Sequence, residues 1–100
     1  MAVGMLLAGE AVTKDTYVQL TEKMFGSYPM REEQSPDGLL VHTAGQGEQG
    51  WYVYDVWESK EHFQRFVESK LGPALQEVGA DGRPEPQFFP IETLVKGPAL

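Results

Sequence analysis

Two titratable side chains interrupt apolar runs of the sequence and are the first candidates for chemistry. His42 lies within GLLVHTA, and Asp55 lies within WYVYDVW. An imidazole titrates near neutral pH, so His42 could act as a general base or acid on a small bound molecule. A carboxylate is costly to bury unless it is paired, which predicts a partner for Asp55. We therefore predict that His42 and Asp55 form a catalytic pair in which Asp55 orients the imidazole.

The pairing of these two residues depends on the register of a hairpin. Residues directly opposite each other on neighbouring antiparallel strands share a face. The sequence allows two sets of neighbours for His42: Val53, Asp55 and Trp57 in one register, and Tyr52, Tyr54 and Glu58 in the other. We favour the first, because Asp55 in the middle of a strand needs a partner. A core histidine bonded to a backbone carbonyl or a carboxylate, and an aspartate bonded across a dimer interface, remain alternative interpretations.

Aromatic residues surround Asp55 in the sequence and predict the wall of a ligand site. We expect Trp57, Tyr54 and Trp51 to contact a substrate. The alternative is that these side chains are simply the core of the sheet, which is the commoner role of aromatic residues in strands.

Composition excludes several functions. Lys and Arg number 8 and Asp and Glu number 15, a net charge of −7, so we expect no binding to nucleic acid or to an anionic membrane. The absence of cysteine removes thiol catalysis and thiolate metal sites. His42 and His62 do not have metal-ligand spacing, and we predict no metal. The same acidity favours a neutral, hydrophobic small molecule as the ligand.

The elements that must position these residues follow from hydrophobic spacing and from capping residues. Apolar periodicity predicts two helices. The first is capped by Thr13 and ends at Gly26. The second is capped by Ser59 and runs to about Leu71, where Gly72 and Pro73 break it before a short continuation. The predicted strands are Val3 to Ala8, Gly38 to Ala44, Trp51 to Trp57, and Gln87 to Val95. Pro90 indicates that the last strand is a sheet edge or contains a bulge.

This order, β-α-β-β-α-β, predicts an α+β ferredoxin-like domain over residues 1–100, with a four-stranded antiparallel sheet and two helices on one face. Alternation places large apolar residues on both faces, with Leu39 and Val41 on the face opposite Leu40. The uncovered face predicts a two-fold homodimer, with the ligand held in the barrel-like interior between the two sheets.

The segments GLLVHTAG, GWYVYDVWES and HFQRFVESKLGPAL resemble the dimeric α/β-barrel superfamily, and within it small bacterial proteins related to the antibiotic-biosynthesis monooxygenase domain. The resemblance implies cofactor-independent oxygenation, polyketide cyclisation, haem degradation, or no chemistry. Haem-degrading members carry a tryptophan where this chain has Phe66 and an axial histidine where it has Gln76. Many monooxygenase-like members carry a histidine at the position of Phe66, and the cyclases use a histidine and a tyrosine inside the barrel.

We therefore predict a tailoring enzyme, either a cofactor-free monooxygenase or a cyclase, that acts on an aromatic or polyketide-type substrate and needs no cofactor. The alternative is a non-catalytic dimeric protein that binds a small molecule or only assembles. A pocket open to His42 would favour the enzyme, and an interior filled by Trp51, Trp57 and Phe89 would favour the alternative. With no secretory signal or spanning segment recognised, we expect a cytoplasmic location.

Overall fold

The computed structural model describes residues 1–9, 12–79 and 85–100. The strands are β1 (Val3–Gly9), β2 (Leu39–Gly47), β3 (Gly50–Trp57) and β4 (Gln87–Pro90). The helices are α1 (Lys14–Phe25), α2 (Lys60–Phe66) and α3 (Gly72–Val78). A 3-10 turn occupies Glu32–Gln34, and a π turn, Val67–Leu71, joins α2 to α3.

The limits of α1 are those that the sequence predicts. The hydroxyl of Thr13 accepts a hydrogen bond from the backbone N–H of Thr16 at 3.1 Å. At the other end, Gly26 has φ 81° and its N–H donates to the carbonyl of Glu22. A left-handed conformation at this position is one that glycine adopts without steric cost, which explains where the helix stops.

The four strands form one antiparallel sheet in the order β2-β3-β1-β4, as a ferredoxin-like α+β fold requires. In the hairpin, His42 lies opposite Asp55, which is the register favoured from sequence. The hairpin is longer than the sequence predicts, because β2 extends to Gly47 and pairs there with Gly50. A two-residue turn thus replaces the predicted six-residue loop.

A bulge at Leu40 corrects the predicted assignment of faces in β2. Leu39 lies opposite Trp57 and Val41 lies opposite Val56, so one residue of β2 is extra at this point. An extra residue reverses the alternation of side chains along the strand. Leu39 therefore shares a face with His42, whereas Val41 lies on the opposite face.

The predicted break at Gly72 and Pro73 is a π turn within a continuous helical segment. The N–H of Gly72 donates to the carbonyl of Val67, five residues earlier. A Cβ atom at position 72 would lie 2.9 Å from that same carbonyl oxygen, so the turn requires glycine. Because the π turn is wider than an α-helical turn, it accommodates Pro73, which has no N–H to donate, and the helix continues.

The last strand is shorter than predicted, ending at Pro90 instead of Val95. Pro90 pairs with Val3, which is the first residue of β1, and one further bond joins the N–H of Ile91 to the carbonyl of Ala2. Because β1 pairs no further, the alternation of the following residues forms no strand, and Val95 is 80% exposed. The prediction that Pro90 lies at a sheet edge is confirmed.

The helices cover one face of the sheet, and the core lies between the two layers. Met5 on β1, Trp57 on β3 and Phe63 on α2 form its buried centre. The opposite face carries Tyr54, whose ring stacks on Phe89 with centroids 6.0 Å apart. The odd-numbered side chains of β3 therefore point into the layer beneath the helices, where the polar pair also lies.

Candidate active site

His42 and Asp55 are in direct contact beneath the helices. The ring nitrogen Nδ1 of His42 lies 2.6 Å from the carboxylate oxygen Oδ1 of Asp55. Asp55 is 5% exposed, and the side chain of His42 is 26% exposed. The strand register brings the two together, since directly opposite residues project from the same face.

The second oxygen of the Asp55 carboxylate is also occupied. The indole N–H of Trp57 donates to Oδ2 across 3.2 Å. A carboxylate only accepts hydrogen bonds, so His42 must carry its proton on Nδ1 to make this contact. The neutral imidazole then has its lone pair on Nε2, which makes that atom the basic one.

Tyr17, on α1, completes a chain of hydrogen bonds at Nε2. Its hydroxyl oxygen is 2.6 Å from His42 Nε2. With the proton of the neutral imidazole on Nδ1, Tyr17 donates and Nε2 accepts. The chain of hydrogen bonds therefore runs from the phenol of Tyr17 through His42 to Asp55, whose second oxygen accepts from Trp57.

Tyr17 is a site residue that the sequence did not predict. Tyr17 belongs to the apolar stripe of α1, which includes Leu20 and Thr21, both buried. The spacing of that stripe indicates that Tyr17 faces the sheet. Nothing in the spacing tells which residue of the sheet the hydroxyl contacts, because that depends on how α1 is positioned across the strands.

The environment of Tyr17 favours its protonated form. Burial raises the pKa of the phenol above its ordinary value, and the negative charge of Asp55 acts in the same direction. Tyr17 is therefore a neutral hydrogen-bond donor at physiological pH. Its ring lies nearly parallel to that of His42, with 6.1 Å between the centroids.

The predicted aromatic wall is only partly present on this face. The ring of Trp51 lies 5.3 Å from that of Tyr17, and Trp57 packs 5.5 Å from Phe63. Tyr54 is on the opposite face and does not line the cavity described below. The reason is the two-residue period of β3, which cannot direct Tyr54 and Asp55 to the same side.

A cavity of about 760 Å³ lies between the sheet and the helices, in contact with the polar chain. Tyr17, His42, Asp55, Trp51 and Trp57 are among its lining residues, and most of the others are apolar. This cavity lies beneath the helices of one chain, whereas the sequence predicts a ligand space between two sheets. His42 and Asp55 project toward the helices and therefore line this cavity.

Besides His42, the lining contains acidic side chains but no Lys or Arg among the residues that the structure describes. Glu68 and Glu85, both exposed, contribute to it. A carboxylate-bearing ligand would therefore meet negative charge without a compensating cation. This arrangement favours a neutral ligand, as the overall acidity also indicates.

Within the described ranges, no group of three His, Asp or Glu side chains is placed to hold a metal ion. No helix in the same part of the chain is both long and apolar enough to cross a membrane.

Comparisons with known proteins show similarity of structure and not of sequence. No family model and no curated protein matches the chain. One similar solved structure is a putative antibiotic biosynthesis monooxygenase from Chloroflexus aurantiacus, with 14% identity, coverage of 97% of this chain and 100% of that one, and a TM-score of 0.61.

Two further structures are similar over most of their length. SnoaB, a cofactor-independent oxygenase from Streptomyces nogalater, is 13% identical, with 96% of this chain and 98% of that one covered and a TM-score of 0.58. A monooxygenase from the gene ActVA-Orf6 of Streptomyces coelicolor, in complex with nanaomycin D, is 20% identical, with 96% and 91% covered and a TM-score of 0.53. At these identities the likeness establishes that the chain has the ferredoxin-like fold of the antibiotic-biosynthesis monooxygenase structures.

Proposed function

We propose that this chain is a small-molecule tailoring enzyme of the cofactor-independent monooxygenase type, acting on a neutral aromatic substrate within the cavity. The observation that carries the proposal is the Tyr17–His42–Asp55 chain of hydrogen bonds, with links of 2.6 Å, at the wall of that cavity. Two of the similar structures are an oxygenase and a monooxygenase, which supports the same class of reaction.

The three residues have different roles in the proposed reaction. His42 Nε2 is the base, and Tyr17 stands between it and the substrate. Tyr17 gives its proton to Nε2, and the resulting phenolate takes one from an acidic carbon of the substrate. Because burial raises the pKa of Tyr17, its phenolate is a strong base once formed. Asp55 fixes the tautomer of His42 and stabilises the imidazolium that results.

The oxidation that follows uses molecular oxygen as the oxidant and the substrate as the source of electrons. The carbanion of an activated CH₂ group adds O₂ to form a peroxide anion, which is protonated through Tyr17 by the imidazolium. Loss of water from this hydroperoxide leaves a carbonyl group. One oxygen atom ends in the product and one in water, and His42 and Tyr17 return to their starting protonation states.

The test uses anthrone, a neutral tricyclic compound with an activated CH₂ group, which would yield anthraquinone and water. We expect His42→Gln to lower kcat about a hundredfold or more, because glutamine can still donate to Asp55 but cannot take up a proton. His62→Gln is the matched control, since His62 bonds to Ser59 outside the cavity and we expect it to keep wild-type turnover. Equal turnover of His42→Gln and wild type would refute the proposed role.

Measurements of oxygen uptake and of product separate the proposed monooxygenase from the two alternatives, a cyclase and a non-catalytic binding protein. A cyclase would use the Tyr17–His42 pair to form an enolate and would consume a linear polyketone without taking up oxygen. A non-catalytic binding protein would bind anthrone without converting it. The open cavity beside His42 favours an enzyme over this second alternative, since Trp51 and Trp57 line the space without filling it and Phe89 lies on the other face.

We also propose that two copies pair through the face of the sheet that no described helix covers. This face carries Tyr54 and Phe89, and Phe89 is 38% exposed. A two-fold dimer buries such an apolar face against itself. The pairing would leave one cavity beneath the helices of each copy. A single domain over residues 1–100 and a cytoplasmic location stay predictions from sequence.

A further inference from the structure

The two tryptophans of β3 lie on the same face of the strand but differ in hydrogen bonding. Trp57 is 1% exposed, and its N–H donates to Asp55 across 3.2 Å. Trp51 is 7% exposed, yet its Nε1 has no acceptor among the residues that the structure describes. Buried donors without acceptors are rare in folded proteins, so this N–H requires an explanation.

The position of Trp51 explains why its N–H has no acceptor. Its side chain lines the cavity, and its ring lies 5.3 Å from the ring of Tyr17, the residue at the end of the polar chain. Tyr17 already donates its hydroxyl proton to His42. The N–H of Trp51 is therefore a donor beside the reacting group, and no hydrogen bond to a described residue occupies it.

We propose that Trp51 is a specificity-determining residue whose indole N–H donates to a carbonyl or phenolic oxygen of the bound molecule. An indole N–H only donates, so its partner must be an acceptor. No Lys or Arg from the described ranges lines the cavity, so that acceptor is a neutral oxygen and not a carboxylate. Nε1 of Trp51 is buried, so the acceptor oxygen of the ligand reaches it only if a ring moves. Either the ring of Tyr17 or that of Trp51, which are tilted relative to each other, must turn slightly when the ligand binds.

This inference rests on the proposed function only in taking the cavity as the ligand site, and binding without turnover tests it. The probes are anthrone, which has a carbonyl oxygen, and 9,10-dihydroanthracene, which has the same three rings and no acceptor. Binding is measured without oxygen to prevent reaction. We expect Trp51→Phe to weaken anthrone binding about fivefold relative to dihydroanthracene, the loss of one hydrogen bond. An equal loss for both ligands would show that Trp51 is only part of the wall.

A measurement on the wild-type chain decides the matter even when Trp51→Phe does not fold. The indole N–H signal of Trp51 in nuclear magnetic resonance is identified by its contacts with the ring protons of Tyr17. We expect this signal to move downfield on saturation with anthrone and to exchange more slowly with water, with no such change for dihydroanthracene. An unmoved signal, or no binding of anthrone, overturns the inference. Binding with the expected shift but no turnover contradicts the proposed function alone.

Discussion

The two faces of β3 show how one strand can serve two different environments. On the helix-covered face, Trp51, Asp55 and Trp57 are all less than a tenth exposed, and the carboxylate of Asp55 accepts two hydrogen bonds. On the open face, Val56 is 4% exposed, whereas Tyr54 is half-buried and stacks on Phe89. The covered face therefore holds polar groups in fixed positions, whereas the open face offers apolar surface. The proposed chemistry and the proposed dimer can therefore be tested independently, because alternate residues of one strand carry the candidate site and the candidate interface.

Among variants that test the difference between the two faces, removal of the Asp55 carboxylate should cause the largest loss of stability. We expect Asp55→Ala to lower the free energy of unfolding by about 3 kcal/mol, because His42 and Trp57 would both lose their shared acceptor in a buried site. Turnover of anthrone should fall with it, since nothing would then hold the tautomer of His42. Urea denaturation measures the stability.

Thr43→Ala is the matched control for that experiment. Thr43 is next to His42 on β2 but faces the other side, where its exposed hydroxyl bonds to the carbonyl of Tyr54. We expect a change of less than about 0.5 kcal/mol. Similar losses of unfolding free energy for the two variants would mean that the stability of the covered face does not depend on the His42–Asp55 pair.

Introducing a charge on the open face should break the proposed dimer and leave the site intact. We expect Tyr54→Glu to weaken self-association at least a hundredfold, about 2.7 kcal/mol, because a carboxylate at the two-fold interface would be buried without a partner. Analytical ultracentrifugation at micromolar concentration measures it, and anthrone binding reports the state of the cavity. A wild-type chain that is itself a stable, folded monomer would refute the dimer.

The sequence predicted the fold well because its signals are local. The hydroxyl of Thr13 and the glycine at position 26 mark the ends of α1 through contacts within one turn of the helix. It also led to the contact between His42 and Asp55, since a buried carboxylate requires a partner and the adjacent strand offers one. Both inferences need only neighbours in the chain or in the hairpin.

The errors concern features that depend on distant parts of the chain. The length of β4 is set by where β1 begins to pair, and the bulge at Leu40 changes the face of Leu39. The contact of Tyr17 with His42 depends on the position of a whole helix across the sheet. The sequence predicts a ligand space between two sheets and not the cavity beneath the helices, because alternation alone does not say which face the helices cover.

The smallest expected effect is a pH dependence that belongs to the covered face alone. The pKa of Tyr17 is raised in the folded chain above the ordinary value of 10.0, chiefly by burial, while the unfolded chain keeps the ordinary value. The folded state then holds the phenolic proton more tightly, so this contribution to stability is fully present below about pH 10 and is lost as the pH rises through the folded pKa. Tyrosinate absorbance should show one ionisation step above pH 10 that is missing in Tyr17→Phe. If the missing step lies at or below the ordinary value, burial and the charge of Asp55 do not raise the pKa of Tyr17 in the folded chain, and this prediction is wrong.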